Sequence, residues 1–186
     1  MEISKIIYFD NRKDWRLWLR KNHKKEREIW LIYYNKASGK PRIPYNDAVE
    51  EALCYGWIDS TLKKIDKDRF TQRFTPRNHK SQLSVMNKER IRRLIKSKKM
   101  TKAGLKAVEH LLGNMDDGEP DLSPDIKKAL KADKEVWNNY ISFPASYKRI
   151  RIGWIESARI RPDEFEKRLK YFVKMTAKNK RYGMVQ

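Results

Sequence analysis

Residues 61–75 read TLKKIDKDRFTQRFT and predict a β-hairpin. In residues 69–75 the large apolar side chains Phe70 and Phe74 fall on one side of an alternating pattern, and such a period of two is typical of a strand. Two aspartates and a lysine at 66–68 supply the turn. The stretch therefore predicts that at least part of the chain is built on antiparallel sheet.

The residues before this hairpin alternate between strand and helix patterns. Branched and aromatic side chains predict strands at Ile3–Phe9 and Glu28–Asn35. Asp10 is the expected cap of a helix between them, which carries Trp15 and Leu19 on its apolar face.

Further helices surround the hairpin in the sequence. Asn46 is the expected cap of a helix that ends at Gly56, with Asp47, Glu50 and Glu51 placed to interact with its dipole. After the hairpin, one helix is predicted from about Ser84 and a second from Thr101 to Gly113. The first of these is expected to bury Ile91, Leu94 and Ile95.

The stretch 113–124 contains four acids, two glycines and two prolines but no lysine or arginine, which is typical of a linker. Beyond it every pattern is helical, beginning with Ser123 as a cap before Pro124. We therefore predict an α+β fold: a small mixed or antiparallel sheet with helices, followed by a C-terminal helical bundle segment. The expected divisions are an α+β domain at 1–112, an acidic linker at 113–124 and a helical domain at 125–186.

The charge of the chain favours acidic partners. Its 186 residues include 44 Lys and Arg against 24 Asp and Glu, a net charge of +20, and such a chain attracts polyanions at neutral pH. The single cysteine, Cys54, excludes an internal disulfide. The three histidines lack the spacing of metal ligands, so neither a metal nor a cofactor is expected. The N-terminal apolar run is too short for a secretory signal, and we expect a cytoplasmic protein without a transmembrane segment.

The positive charge is concentrated in residues 69–102, which hold twelve basic side chains and one acid, Glu89. Such a concentration predicts binding of nucleic acid or a phosphorylated ligand through charge and counterion release. On the predicted helix, Lys88, Arg92, Lys96 and Lys99 form a stripe that is expected to face solvent. The candidate anion ligands are Arg73, Arg77, Ser81, Ser84, Asn87, Arg90, Arg92, Arg93 and Lys96.

A second candidate site lies between residues 54 and 60, where Cys54, Trp57 and Asp59 are the pocket candidates. Asp59 is placed to pair with Arg73 or Arg77 of the hairpin. This leaves open an enzyme or small-molecule pocket in which Arg77 clamps an anion and Asp59 or Cys54 acts as acid, base or nucleophile. A third alternative is an interaction protein whose charge only keeps it in solution. No residue is assigned a catalytic role.

Several motifs resemble the YdeI/OmpD-associated family, also called bacteriocin-protection or OmdA-like proteins. They lie at residues 50–60 (EEALCYGWIDS), 73–77 (RFTPR), 100–104 (MTKAG), 146–149 and 154–159. The resemblance implies a link to stress and to tolerance of antimicrobial peptides. It implies no particular reaction, and the periplasmic association in the family's name is not expected for a chain without an export signal.

Overall fold

The computed structural model describes residues 5–113 and 118–183. These residues form two compact units, the first within 1–82 and 90–114 and the second within 83–89 and 115–186. The predicted domain boundaries stay a prediction, and residues 114–117 of the predicted linker lie outside the described residues. The α+β fold class is confirmed, because the first unit contains a four-stranded mixed sheet and the second is helical.

The first unit is built on strands β1 (Ile6–Tyr8), β2 (Ile29–Tyr34), β3 (Trp57–Lys64) and β4 (Arg69–Pro76). Their order in the sheet is β1-β2-β4-β3, with β1 and β2 parallel and the other pairs antiparallel. The predicted hairpin is confirmed, but β3 begins at Trp57, and its register shifts between Asp59 and Leu62 in a bulge. This bulge interrupts the alternation, which is why the sequence pattern revealed only the second half of the strand.

Helices α1 (Arg12–Asn22), α2 (Tyr45–Cys54), α3 (Val85–Lys96) and α4 (Lys102–Leu112) accompany the sheet, and the residues of α3 up to Glu89 are grouped with the second unit. A short 3-10 turn occupies Lys36–Ser38. The aromatic core predicted around α1 is present, since Trp15 is fully buried and its indole donates to the carbonyl of Ala48 at 2.9 Å.

Three local predictions for these helices are wrong. The side chain of Asn11, not Asp10, caps α1 by accepting from the backbone N–H of Asp14 at 2.9 Å. Helix α2 begins at Tyr45, and Asn46 instead accepts a hydrogen bond from Arg90 at 2.7 Å. In α3 the third buried position after Ile91 and Leu94 is Arg90, while Ile95 is exposed.

Helix α4 packs directly on the last turn of α2. Thr101 caps α4 as predicted, and its hydroxyl also donates to the carbonyl of Cys54 at 2.6 Å. Gly104 lies against the same carbonyl group. Gly56 follows α2 with a φ of +77° and lies against Ala103 and Ala107 of α4. The two glycines allow α2 and α4 to lie closer together than any side chain at these positions would permit.

The second unit contains four more helices: α5 (Pro124–Lys131), α6 (Lys134–Ser142), α7 (Ala145–Glu156) and α8 (Pro162–Ala177). The helical character predicted for this part of the chain is confirmed, with Ser123 and Pro124 at the start of α5. Its buried core is the following set: Ile126, Leu130, Val136, Tyr140, Phe143, Tyr147, Ile152, Ile155 and Phe172. Among the described residues, no helix is both long and apolar enough to cross a lipid bilayer.

Candidate anion-binding surface

Two of the predicted anion ligands are neutralised by carboxylates of the first unit. Arg73 of β4 donates through Nε to Glu28 at 2.8 Å and also contacts it through Nη2. Arg93 of α3 forms an ion pair with Glu50 of α2. Each pair satisfies the guanidinium locally, so these two arginines are poor candidates for holding an external anion.

Arg90 and Arg92 are less accessible than the sequence suggested. Arg90 is buried and donates to Asn46, and its desolvation lowers the pKa of the guanidinium. Arg92 is half-buried, as is Lys88. The predicted solvent-facing stripe is therefore exposed at Lys96 and Lys99 but not along its whole length.

The polar side chains predicted to orient the ligand take part in local backbone structure. The hydroxyl of Ser81 donates to the carbonyl of Asn78 at 2.7 Å. Ser84 accepts from the backbone N–H of Asn87 at 3.3 Å at the start of α3. Ser84 and Asn87 belong to the second unit, whereas Ser81 belongs to the first.

Arg77 is a cation without a carboxylate partner among the described residues. Its backbone N–H donates to the carbonyl of Gly56 at 2.8 Å, and its guanidinium donates to the carbonyl of Ser81. The Nε atom is buried and has no hydrogen-bond partner in the described part of the chain. Desolvation lowers the pKa of Arg77, as expected where no acid compensates for burial.

A larger group of unpaired cations lies at the turn between α3 and α4. Helix α3 ends at Lys96, Lys98 adopts a left-handed φ of 55°, and α4 begins at Lys102. Lys96, Lys98, Lys99 and Lys102 are all exposed, and none forms an ion pair with a described residue. No acid of the described ranges therefore neutralises these four charges through an ion pair.

Arg16 joins this turn to the first helix. It donates to the carbonyl of Lys99 at 3.2 Å, and its guanidinium lies 5.5 Å from the ring centre of Tyr55. One turn further along α1, Arg20 is exposed and influences the pKa of the same tyrosine. We call the following set the Lys99 basic surface: Arg20, Lys96, Lys98, Lys99 and Lys102.

The sequence reasoning missed the contribution of α1. Residues 20–27 read RKNHKKER, with five basic side chains other than histidine and one acid, Glu26. Among the exposed residues of this run, Lys21, Lys24 and Lys25 make no ion pair within the described residues. Charge counting could have found the run, but only the fold shows that α1 approaches the α3–α4 turn.

The pocket candidates do not form one site. Cys54 is the last residue of α2, whereas Asp59 accepts a 2.6 Å hydrogen bond from Tyr45, the first residue of the same helix. At about 1.5 Å per residue the two ends of α2 are roughly 13 Å apart. The predicted pairing of Asp59 with Arg73 or Arg77 is wrong. Trp57 is buried and donates to the carbonyl of His23 at 3.1 Å, which is a structural role.

Cys54 is expected to react slowly in the folded protein. Burial, with the negative charge of Glu51, raises the pKa of its thiol from 9.0 to about 11. At pH ~8 the thiolate fraction, and with it the rate of reaction with a disulfide reagent such as DTNB, should be about 100-fold below that of an ordinary cysteine. The same protein in denaturant is the control, because this is the only cysteine of the chain. Rates within a factor of about three in the two states would contradict this prediction.

Two family models match the chain. Residues 119–179 match a family described as "Bacteriocin-protection, YdeI or OmpD-Associated", which confirms the resemblance over that range. Residues 7–107, more than half of the chain, match a family described as "Domain of unknown function (DUF8412)", and this range includes the motifs at 50–60, 73–77 and 100–104. No curated protein and no solved structure matches the chain.

Proposed function

The chain belongs to the family described as a domain of unknown function (DUF8412), and from this premise we propose that it acts by binding phosphate-bearing polyanions rather than by catalysis. Over residues 119–179 it also carries a domain of the bacteriocin-protection, YdeI or OmpD-associated family. The family description links the chain to bacteriocin protection. The proposal adds a ligand class to that link.

The observation that supports this function is the state of the cations on the Lys99 basic surface. Arg73 and Arg93 of the same unit are matched by acids, the first by Glu28 and the second by Glu50. The five cations of the surface, by contrast, make no ion pair with any described residue. Like charges held close together repel one another, and a bound polyanion relieves this repulsion while releasing its own counterions.

The surface is built to bind charge more than sequence. Four of its members are lysines, which act as hydrated point charges. Tyr55, which lies near Arg20, is buried and presents no exposed ring on which a base could stack. We therefore expect similar affinity for many phosphate-bearing chains. Contacts to four or five phosphates predict that affinity falls roughly 10²- to 10³-fold between about 50 and 200 mM salt.

The test compares two triple variants with the same change in net charge. In one, Lys96, Lys98 and Lys99 are each changed to Gln. In the other, Lys127, Lys128 and Lys134 are changed to Gln; these lysines are exposed and make no ion pair with a described residue. Binding of labelled single- and double-stranded oligonucleotides is measured by fluorescence anisotropy at the two salt concentrations.

The first variant should bind at least about tenfold more weakly at the lower salt, and the slope of log affinity against log salt should fall by two to three units, roughly one for each phosphate contact removed. The second variant should stay within about twofold of the unmodified protein. Equal loss in both variants would mean that only the net charge matters and would refute a localised surface. Absence of binding at either salt would favour an interaction protein whose charge maintains solubility.

A further inference from the structure

Helix α7 of the second unit buries an arginine among aromatic rings. Arg151 is 6% exposed. Its guanidinium carbon lies 4.6 Å from the ring centre of Tyr182, 5.6 Å from that of Tyr147 and 5.7 Å from that of Trp154. Aromatic faces attract such a cation and offset part of the cost of removing it from water.

Arg151 differs from its neighbours because it has no anionic partner among the described residues. Arg149 on the same helix pairs with Glu89, and Lys148 pairs with Glu119 at 2.8 Å. Arg151 makes no ion pair with a described residue, and its Nε atom is buried without a hydrogen-bond partner among them. Its guanidinium also acts electrostatically on the hydroxyl of Tyr182. Ring faces attract the charge but do not satisfy the Nε–H donor.

The rings of Tyr147, Trp154 and Tyr182 form an aromatic cage around Arg151. A second unsatisfied group lies in this cage. The hydroxyl of Tyr182 is buried and has no hydrogen-bond partner in the described part of the chain. Its backbone N–H donates to the hydroxyl of Tyr147 at 3.3 Å, which holds the C-terminal segment over the cage. Burial raises the pKa of Tyr182 to about 12, so its hydroxyl keeps its proton and can donate at neutral pH.

Gly183 lies directly beside the guanidinium of Arg151. This residue is exposed and has a φ of +81°, and a Cβ added to it would lie 2.8 Å from Nη2 of Arg151. Glycine therefore leaves space beside the end of the guanidinium that any other residue would fill.

We propose that Arg151 and the hydroxyl of Tyr182 form an oxyanion site in the second unit, which takes a carboxylate or phosphate group entering beside Gly183. Both groups are donors, and a planar guanidinium matches the paired oxygens of either anion. A low local dielectric strengthens such a contact. Arg151 lies within the range matched by the bacteriocin-protection family, whereas Tyr182 lies beyond it. This site is separate in sequence and in chemistry from the lysine-rich surface proposed above.

The test is an NMR titration of the full chain with inorganic phosphate and, separately, with acetate, with sodium chloride at matched ionic strength as the reference. The reporters are the indole N–H of Trp154, the backbone N–H groups of Tyr182 and Gly183 and the Nε–H of Arg151. We expect saturable shifts at these reporters with at least one of the two anions. A response to phosphate alone or to acetate alone identifies which group the site prefers. Because the readout is specific to residues, phosphate bound elsewhere does not interfere.

Two conservative variants separate a binding site from a structural cage. Tyr182→Phe keeps the ring over Arg151 but removes the hydroxyl, and should weaken anion binding about tenfold. Tyr171→Phe is the matched control, because Tyr171 packs on Tyr182 with ring centres 4.8 Å apart but is exposed. The affinity of this variant for the anion should be unchanged. Absence of saturable shifts with both anions would overturn the proposal, as would equal affinity in the Tyr182→Phe variant.

Discussion

Replacing Gly104 by alanine is expected to destabilise the first unit by about 4 kcal/mol or more. A Cβ at this position would lie 2.7 Å from the carbonyl carbon of Cys54 and 2.9 Å from the carbonyl oxygen of Leu53. Both atoms belong to the backbone of α2 and cannot rotate away, so the two helices would have to separate. Separation would also break the hydrogen bonds that Thr101 makes to Cys54. Chemical denaturation, followed by hydrogen–deuterium exchange in α2 and α4, measures the loss.

The control is Gly113→Ala at the other end of the same helix. Gly113 has a helical φ of −64°, and no atom of the described residues lies within 4 Å of the position that its Cβ would take. Alanine there should change stability by less than about 1 kcal/mol, and by restricting the unfolded chain it should if anything increase it. Equal stability of the two variants would show that α4 does not pack against α2 as closely as the structure indicates.

Changing Glu51 to alanine is expected to cost about 3 kcal/mol in the free energy of unfolding. Glu51 is 2% exposed and accepts from Nε of Arg12 and from Nη1 of Arg16, each at 2.5 Å. Without it, Arg16 loses its carboxylate, whereas Arg12 retains Asp47 and Glu50. The loss is therefore smaller than for a fully isolated pair. Denaturant unfolding of the variant and of the unmodified protein gives the difference.

Glu51→Gln and Glu166→Ala complete this experiment. Glutamine keeps the size of the side chain and one acceptor, so it should lose less stability than alanine. Glu166 pairs with Lys170 across one turn of α8 with both side chains exposed, and such pairs contribute little, so its removal should have no measurable effect. A loss at Glu166 as large as that at Glu51 would contradict the distinction between buried and exposed pairs on which the prediction rests.

Local patterns in the sequence predicted the elements of the fold better than the partners of charged residues. The alternation in residues 69–75 correctly predicted β4, and Thr101 correctly predicted the start of α4. Both signals depend only on neighbours in the chain. The acids of α2 were interpreted as partners of their own helix dipole. In the structure Glu51 binds arginines 35 and 39 positions earlier in the sequence. Spacing within one helix carries no information on such a contact.

The candidate site shows the same limit. The excess of basic residues in 69–102 was visible in the sequence, but which of them remain unpaired depends on acids supplied by other elements. Arg73 and Arg93 were among the predicted anion ligands and are neutralised by Glu28 and Glu50. Lys98, which belongs to the Lys99 basic surface, has no feature in the sequence that sets it apart. The aromatic cage of Arg151 could not be predicted, because Tyr182 lies 31 positions after Arg151 in the sequence and spacing over such a distance carries no information on contact.

The bulge in β3 has a consequence for how the protein behaves at high concentration. As an outer strand, β3 exposes backbone groups that could accept a strand from another molecule, and flat outer strands seed aggregation in this way. The irregularity between Asp59 and Leu62 bends the strand at its midpoint, and Lys63 and Lys64 place charge immediately after it. At the opposite side of the sheet β1 is only three residues long. Both borders of the sheet are therefore poor templates for self-association, despite the exposed side chain of Leu62.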